Sequence, residues 1–331
     1  MDCEVGMMPK KAFGFLLVAL LCLTQTSCAP WLGKKKPMVP ERRVLTEERT
    51  QALQEQVAAL QEQVDNRQYK AAKHSAKALN ADFPEIAAYE LQDFIKAEMF
   101  LSQNKYVRSA RLYQKVLEEY LDTPLKTPSV KRLYMIGSAY LGGKEKAFLW
   151  VIRIKGYEEG VKVMESVTQA EGLEDPNGLG LKAAVDVAKH YESRKLYEEA
   201  YLKWLEVSTV WQTGPMGKEA LWSMAEDKRA AYNKNVPKER PLFDASNLKT
   251  AKTYYEKFKM MFPEDAEAKK VDAILAEVNE QMAHKEYTIA QYYRRTGHVQ
   301  AANTYYDMVI VNWPDTDTAQ QAREALNRTS K

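Results

Sequence analysis

The chain has 331 residues, of which 45% are hydrophobic and 28% are charged, a balance that excludes a disordered protein and allows a sizeable core. Its 48 basic and 45 acidic residues leave a formal charge of +3, which excludes the strongly basic surface of a general nucleic-acid-binding protein. All three cysteines lie within the first 28 residues, so the rest of the chain can form no disulfide and no cysteine-ligated metal site.

The N-terminal segment has the pattern of a secretory signal. Lys10 and Lys11 precede an apolar run at residues 12–23, and a small, polar stretch then ends at Cys28. This apolar run is too short to span a bilayer as a helix, which favours a cleaved signal over a membrane anchor. We therefore predict that residues 1–27 are a signal peptide.

Residues 28–45 have the composition of a flexible tether, because they contain several prolines, a glycine and a cluster of basic residues. From residue 46 onward the pattern becomes helical. The predicted folded domain therefore covers residues 46–331.

The first helical segment carries Leu53, Val57, Leu60 and Val64, spaced by four, three and four residues. This spacing is compatible with the seam of a trimerising coiled coil. The seam is shorter than two heptads, however, so we favour a second interpretation, in which the segment is the first helix of repeat one.

One pattern recurs along the rest of the chain. Each copy begins with a hydrophobic residue, followed by a small residue at +3, an apolar residue at +10 and a helix stop near +15; the residue at +7 is bulky in every copy except the first, which has Ala76. The six copies begin at Tyr69, Tyr106, Tyr157, Tyr197, Leu248 and Val299. A preceding helix with its own small and bulky residues accompanies most copies, as in tetratricopeptide units of about 34 residues. We predict an all-α, tetratricopeptide-type solenoid of about six helical hairpins, with a C-terminal capping helix from Thr318 to Asn327.

Two insertions interrupt this pattern. The first lies between Tyr140 and Tyr157 and contains five consecutive apolar residues, 148–152, with Trp150 at their centre. An apolar run of this kind is expected to be covered, either by the protein's own groove, by a partner protein or by a membrane surface. The second insertion, residues 233–247, contains two prolines and is predicted to be an exposed loop.

In tetratricopeptide arrays the first helix of each unit lines the concave face, which allows groove positions to be counted from its small residue. The predicted groove residues are Leu91, Phe94, Glu98 and Leu101 in repeat two, Lys131, Tyr134, Ser138 and Leu141 in repeat three, and Lys182, Val185, Lys189 and Glu192 in repeat four. An apolar strip beside Lys131, Lys182 and Lys189 favours an extended peptide with aromatic side chains and a terminal carboxylate. In the alternative arrangement, these residues pack against the Trp150 insertion and the groove is filled.

No pattern in the chain indicates an enzyme. The four histidines are scattered without metal-ligand spacing, and no nucleophile, base and orienting residue form a recognisable motif. The glycine-containing stretch at residues 178–183 does not follow a strand, so it does not indicate a dinucleotide site. We predict no catalytic residue, cofactor, metal site or nucleic-acid partner.

The segment EYTIAQYYRRTGHVQAANTYYDMVIVNWPDT, residues 286–316, is similar to the closing segment of the BamD family of outer-membrane assembly lipoproteins, in which a YY…RG…AA…N…YPDT pattern recurs. Thr26, Ser27 and Cys28 also resemble the acylation motif of a bacterial lipoprotein signal, although Gln25 stands where leucine is usual. The chain departs from the family in having six repeats where five are typical.

The resemblance implies a non-enzymatic scaffold that is anchored through acylated Cys28 to the periplasmic face of the outer membrane. Its partners would be the barrel-inserting subunit of the β-barrel assembly machinery and unfolded outer-membrane proteins, whose C-terminal peptides it would bind. Arg294 and Arg295, within the similar segment, are candidate partner contacts. As an alternative, the chain is similar in organisation to the CpoB family, whose members are periplasmic coiled-coil and tetratricopeptide adaptors in cell-envelope maintenance or division.

Overall fold

The computed structural model describes residues 41–148 and 152–329, all within a compact unit that covers residues 40–331. The predicted signal peptide, Cys28 and Trp150 lie outside the described residues. The first seven helices are α1 Glu47–Asp65, α2 Tyr69–Asp82, α3 Glu90–Ser102, α4 Tyr106–Glu119, α5 Lys126–Leu141, α6 Tyr157–Glu171 and α7 Leu179–Ser193. The next seven are α8 Tyr197–Val210, α9 Gly214–Asn233, α10 Ser246–Met261, α11 Pro263–Ala268, α12 Val271–Arg295, α13 Val299–Asn312 and α14 Asp317–Thr329.

The helices pack as hairpins in chain order. Six pairs form, α1 with α2, α3 with α4, α5 with α6, α7 with α8, α9 with α10, and α12 with α13, and each pair contacts the next. The short helix α11 connects the fifth pair to the sixth, and α14 packs against α12 and α13. The predicted all-α fold of successive hairpins with a C-terminal capping helix is confirmed, with one small sheet as a departure.

The second helices start where the repeat pattern predicts. Five of them begin at the predicted residue, and α10 begins two residues before Leu248. The small residues at +3 are all buried, and they are Ala72, Ser109, Gly160, Ala200, Ala251 and Ala302. Gly160 shows why these residues are small, because a Cβ atom placed there would lie 2.9 Å from the backbone nitrogen of Leu141 on α5. The two helices of the hairpin cross too closely for a larger side chain.

We expect Ala302→Leu to lower the free energy of unfolding by about 1–3 kcal/mol, because the longer side chain would overpack the α12–α13 crossing. Ala302 is almost fully buried on α13, in a cluster with Ala290 of α12 and Tyr306. Urea denaturation of the full chain measures the loss. Thr304→Leu, on the exposed face of the same helix, is the matched control and should change stability by less than about 0.5 kcal/mol. Equal stability of the two variants would show that the repeat register is wrong.

Helix α1 is the first helix of repeat one. Leu53, Val57, Leu60 and Val64 are all buried in a core cluster that α2 and α3 share. The interpretation as a repeat helix is therefore confirmed, because the residues of the possible coiled-coil seam are already covered by the chain itself. The segment before α1 is also attached to the domain, since the guanidinium of Arg42 donates to both carboxylate oxygens of buried Glu90. Arg42, which the prediction assigned to the tether, is therefore bound to the folded domain.

An ion-pair network centred on the buried residues Arg132 and Glu98 joins the first three repeats. The Arg132 guanidinium on α5 donates to both carboxylate oxygens of Glu98 on α3, each at 3.0 Å. It also donates to Asp65 on α1 at 2.6 Å and to the backbone carbonyl of Gln61 at 3.1 Å. Burial alone would lower the pKa of Arg132, but the charge of Glu98 and the hydrogen bonds to Glu98 and Asp65 together outweigh burial and raise it. Arg132 is therefore a fixed cation that connects α1, α3 and α5.

The first insertion forms a β-hairpin, which the sequence did not predict. Strand β1, Glu145–Phe148, pairs antiparallel with β2, Ile152–Lys155. The second insertion is mostly exposed, as predicted, and hydrogen bonds connect its first residues to Arg240. The Tyr232 hydroxyl donates to the carbonyl of Arg240, and the Arg240 guanidinium donates to the carbonyls of Asn233 and Asn235. This loop is a hydrogen-bonded element that presents a few exposed apolar side chains at its surface.

Candidate partner-binding surfaces

Part of the predicted groove is buried in the core. Leu91, Phe94 and Leu101 on α3 are buried, and Glu98 is bound to Arg132. The prediction that these residues contact a partner is wrong for this structure, because α3 packs against α1, α2 and α4 at once. Val185 on α7 is likewise buried.

Leu141, at the C-terminal end of α5, is half-buried and belongs to the hairpin packing. One of its methyl carbons would lie 3.0 Å from a Cβ atom placed at Gly160. Its role in the structure is therefore contact with α6, and it is not part of the exposed surface described next.

The predicted groove residues of α5 and α7 that reach the surface lie side by side. The Tyr134 hydroxyl on α5 donates to the Asp186 carboxylate on α7 at 2.5 Å, and the Lys182 Nζ atom lies 5.1 Å from the centroid of the Tyr134 ring. Lys131 is exposed one helical turn before Tyr134. We call Lys131, Tyr134, Lys182 and Asp186 the α5–α7 surface.

The electrostatics of the α5–α7 surface combine a fixed aromatic ring with free cations. Burial and, after it, the hydrogen bond to Asp186 raise the pKa of Tyr134 to about 12, so the hydroxyl stays protonated. Within the described part of the chain, no carboxylate lies at ion-pair distance from Lys131 or Lys182. Lys189, in contrast, pairs with Glu219 of α9 at 2.8 Å. The surface can therefore hold an anionic group beside an aromatic or apolar side chain.

Sequence reasoning missed Asp186, although a signal was present. Asp186 lies four residues after Lys182, so a helix places both on one face. Its partner Tyr134 is on another repeat, and no local spacing indicates which of the many surface carboxylates a tyrosine will meet.

A second surface lies at the C-terminal end of the domain. A cavity of about 720 Å³ between α12, α13 and α14 is lined by Tyr287, Arg294, Arg295, Tyr306 and Arg328, among others. Arg294 donates to the carbonyl of Ala325 at 3.1 Å, so it joins α12 to α14. Arg295 is exposed. Of the two arginines proposed from the sequence, Arg295 is the more accessible to a partner.

A buried carboxyl group lies on α9. The Asp227 side chain is 3% exposed, and its Oδ2 atom accepts no hydrogen bond from any described residue. Burial, and after it the nearby carboxylates of Glu192, Glu226 and Glu198, raise the pKa of Asp227 to about 8 against the opposing charge of Lys228. Asp227 is therefore a neutral acid in the folded protein at pH 7.

Two other kinds of site are absent from the described residues. No helix in these ranges is both long and apolar enough to cross a membrane. No group of three histidine, cysteine, aspartate or glutamate side chains among the same residues could hold a metal ion.

Comparison with known proteins places a family resemblance at the C-terminal end. The family model described as YfiO, outer membrane lipoprotein, matches residues 229–330, from the end of α9 through α14. The similarity to the BamD lipoprotein family predicted from residues 286–316 is thereby confirmed for this region. No curated protein matches the chain.

Among solved structures, the chain is similar to the C-terminal part of a TPR repeat-containing protein from Cytophaga hutchinsonii. It is 14% identical, the match covers 83% of this chain and 98% of that chain, and the TM-score is 0.30. The hairpin architecture is seen directly in the helix pairs of this chain and does not depend on that similarity.

Proposed function

We propose that this protein, whose residues 229–330 match the YfiO outer membrane lipoprotein family, is a non-enzymatic scaffold of the β-barrel assembly machinery of the outer membrane. The family match is the observation that carries the proposal. Its two proposed partners are the barrel-inserting subunit and the C-terminal peptides of unfolded outer-membrane proteins. Attachment to the barrel-inserting subunit is assigned to the C-terminal surface, since that surface lies within the matching region.

The proposed location is the periplasmic face of the outer membrane, with Cys28 acylated as the first residue of the mature chain. Anchoring through two or more acyl chains is effectively stable, because each buried CH₂ group contributes about 0.8 kcal/mol. We therefore expect the intact mass of the protein from the membrane fraction to equal that of residues 28–331 plus a lipid. Cys28→Ala should release the protein from the membrane, whereas Cys22→Ala should not. A mature N-terminus after Cys28, or a mass without acyl groups, would contradict the assignment.

Peptide binding is assigned to the α5–α7 surface. Tyr134 offers a ring held in place by Asp186, and Lys131 and Lys182 are free to pair with a terminal carboxylate. These three side chains suit the aromatic residue and the carboxylate at the end of an extended peptide. The buried residues of α3 have no part in this assignment.

We expect the double change Tyr134→Ala with Lys131→Glu to lower the affinity for a barrel-protein C-terminal peptide at least about tenfold, since an aromatic contact and a charge pair are lost together. Calorimetry measures the affinity, and circular dichroism should show unchanged helicity. The same two changes at the exposed residues Tyr69 and Lys70 of α2 are the matched control. Binding to the barrel-inserting subunit should persist in both variants. Wild-type affinity of the Tyr134 variant for the peptide would refute the groove assignment.

The alternative of a CpoB-like envelope adaptor has less support. Its distinguishing feature would be a trimerising coiled coil at Leu53–Val64, and those residues are buried against α2 and α3. Sedimentation of the full chain in detergent separates the two functions, because the coiled-coil adaptor requires a trimer.

A further inference from the structure

We propose that the β-hairpin of β1 and β2 docks an extended, acidic segment of a partner polypeptide, which adds a third strand to the free edge of β2. This site is separate from the α5–α7 surface and goes beyond the function proposed above. The site lies on the described strand residues, 145–148 and 152–155, and on the helices beside them.

The hydrogen-bond pattern of the hairpin identifies which backbone groups are free. Gly156 N–H donates to the Lys144 carbonyl at 2.9 Å, so the pair 144 and 156 is a hydrogen-bonded pair. In an antiparallel ladder such pairs alternate with non-bonded ones, and the register aligns Lys146 with Ile154 and Glu145 with Lys155. The N–H and C=O groups of Ile152 and Ile154 therefore point to β1. Those of Arg153 and Lys155 point to the free edge, which is a template for another strand.

The hairpin forms part of the lining of a cavity that can receive side chains from such a strand. The cavity has a volume of about 710 Å³, and its apolar lining comes from Ile154 of β2 and from Tyr157, Val161, Tyr191 and Leu196 of the adjacent helices. Ile152 and Ile154 are 53% and 38% exposed, although both are β-branched side chains suited to packing in a sheet. An isolated two-stranded hairpin is only marginally stable, and a third strand would place its own side chains beside Ile152 and Ile154 on the same face.

The charges around the cavity select an acidic segment. Lys146 pairs with Glu159, Lys155 with Glu145, and Lys203 with Glu165. Among the described residues of the edge and the cavity lining, the charges left without an ion pair are those of Arg153, Lys162, Arg194 and Glu158. Positive charge is in excess among these unpaired side chains. An incoming strand should therefore bind more tightly if it carries acidic side chains on the face away from the cavity and an apolar or aromatic side chain on the face toward it.

The test uses the full-length protein in detergent and a fluorescein-labelled peptide of nine residues, in which glutamate alternates with valine and phenylalanine occupies the centre. Both peptide ends are blocked, so that binding through a terminal carboxylate at the α5–α7 surface is removed. We expect Arg153→Pro to lower the affinity at least about tenfold, because proline lacks the N–H at the free edge while no bond within the hairpin is lost. Arg153→Ala is the matched control for the charge and should change the affinity less than about threefold.

A second measurement leaves the protein unchanged. Two versions of the peptide carry N-methyl groups on alternate residues, one set on the odd positions and one on the even positions. Strand addition requires one version to lose binding and the other to keep it, since only one edge of the added strand is paired. Equal binding of the two versions, or equal effects of Arg153→Pro and Arg153→Ala, would overturn the proposal.

A third measurement tests whether the site prefers an acidic peptide. A peptide with lysine in place of every glutamate should bind at least about tenfold more weakly, and equal binding would refute the acidic partner. The variant with both Tyr134→Ala and Lys131→Glu should bind the blocked peptide with unchanged affinity. Loss of binding in that variant would place the peptide on the α5–α7 surface and overturn the hairpin site.

Discussion

Arg132→Met should lower the free energy of unfolding by about 3–5 kcal/mol, because it leaves the Glu98 carboxylate buried without its partner. Arg132 and Glu98 are 5% and 0% exposed, so water cannot replace the lost hydrogen bonds without opening the core. The same change releases Asp65 on α1. Guanidinium denaturation of the full chain, followed by circular dichroism, measures the loss.

A double variant distinguishes the cost of an unpaired buried charge from the cost of changed side-chain packing. Replacing both residues, Arg132→Met with Glu98→Met, removes the buried charges together, and such apolar replacements are often nearly neutral. The double variant should therefore be more stable than either single one. Lys252→Met is the control, because Lys252 pairs with Glu256 at 3.8 Å on the surface of α10, and exposed pairs contribute less than about 1 kcal/mol. A loss in Arg132→Met no larger than the control's would show that the network does not hold the first three repeats together.

The repeat pattern could be predicted from the sequence because its cause is local. A small residue at +3 is required wherever two helices cross closely, and Gly160 and Ala302 meet that requirement in the same way. The apolar residue at +10 and the bulky one at +7 follow from helical periodicity on the same face. The starts of the second helices, such as Tyr157 for α6, therefore followed from the spacing alone.

The groove could be predicted only in part, because exposure depends on neighbouring repeats. Counting from the small residue of α5 and α7 places Lys131 and Lys182 at the surface, as the structure shows. The same count in α3 places Phe94 there, yet α1, α2 and α4 cover it. Contacts between residues more than 30 positions apart, such as Arg132 with Glu98, leave no trace in local periodicity.

The β-hairpin was missed for a different reason. Strand β2 contains four residues, Ile152–Lys155, and an alternation of that length is too short to be separated from the end of a helix. The preceding apolar run also hid the alternation. Which backbone groups lie at the free edge depends on the hydrogen-bond register, and the sequence does not determine that register.

The buried acid Asp227 leads to the second large effect, a dependence of stability on pH. Its pKa in the folded protein is about 8, against an ordinary value of 3.8. A carboxyl group whose pKa is raised by folding stabilises the folded state fully below the ordinary pKa, and this contribution is lost as the pH rises toward the folded value. Between about pH 4 and pH 8, Asp227 should therefore lower the free energy of unfolding by about 1.4 kcal/mol for each unit of pH.

Asp227→Asn should remove this slope, because the amide is neutral at every pH in the range. We expect the variant to be more stable than the parent chain at pH 7 by a margin on the order of 4 kcal/mol, and the two to converge near pH 4. Urea denaturation at pH 5, 6.5 and 8 measures both slopes. Glu256→Gln, an exposed carboxyl on α10, is the control and should keep the parent slope. If Asp227→Asn kept that slope as well, Asp227 would have to be ionised in the folded protein, with Lys228 or water as an unrecognised partner for its buried oxygen.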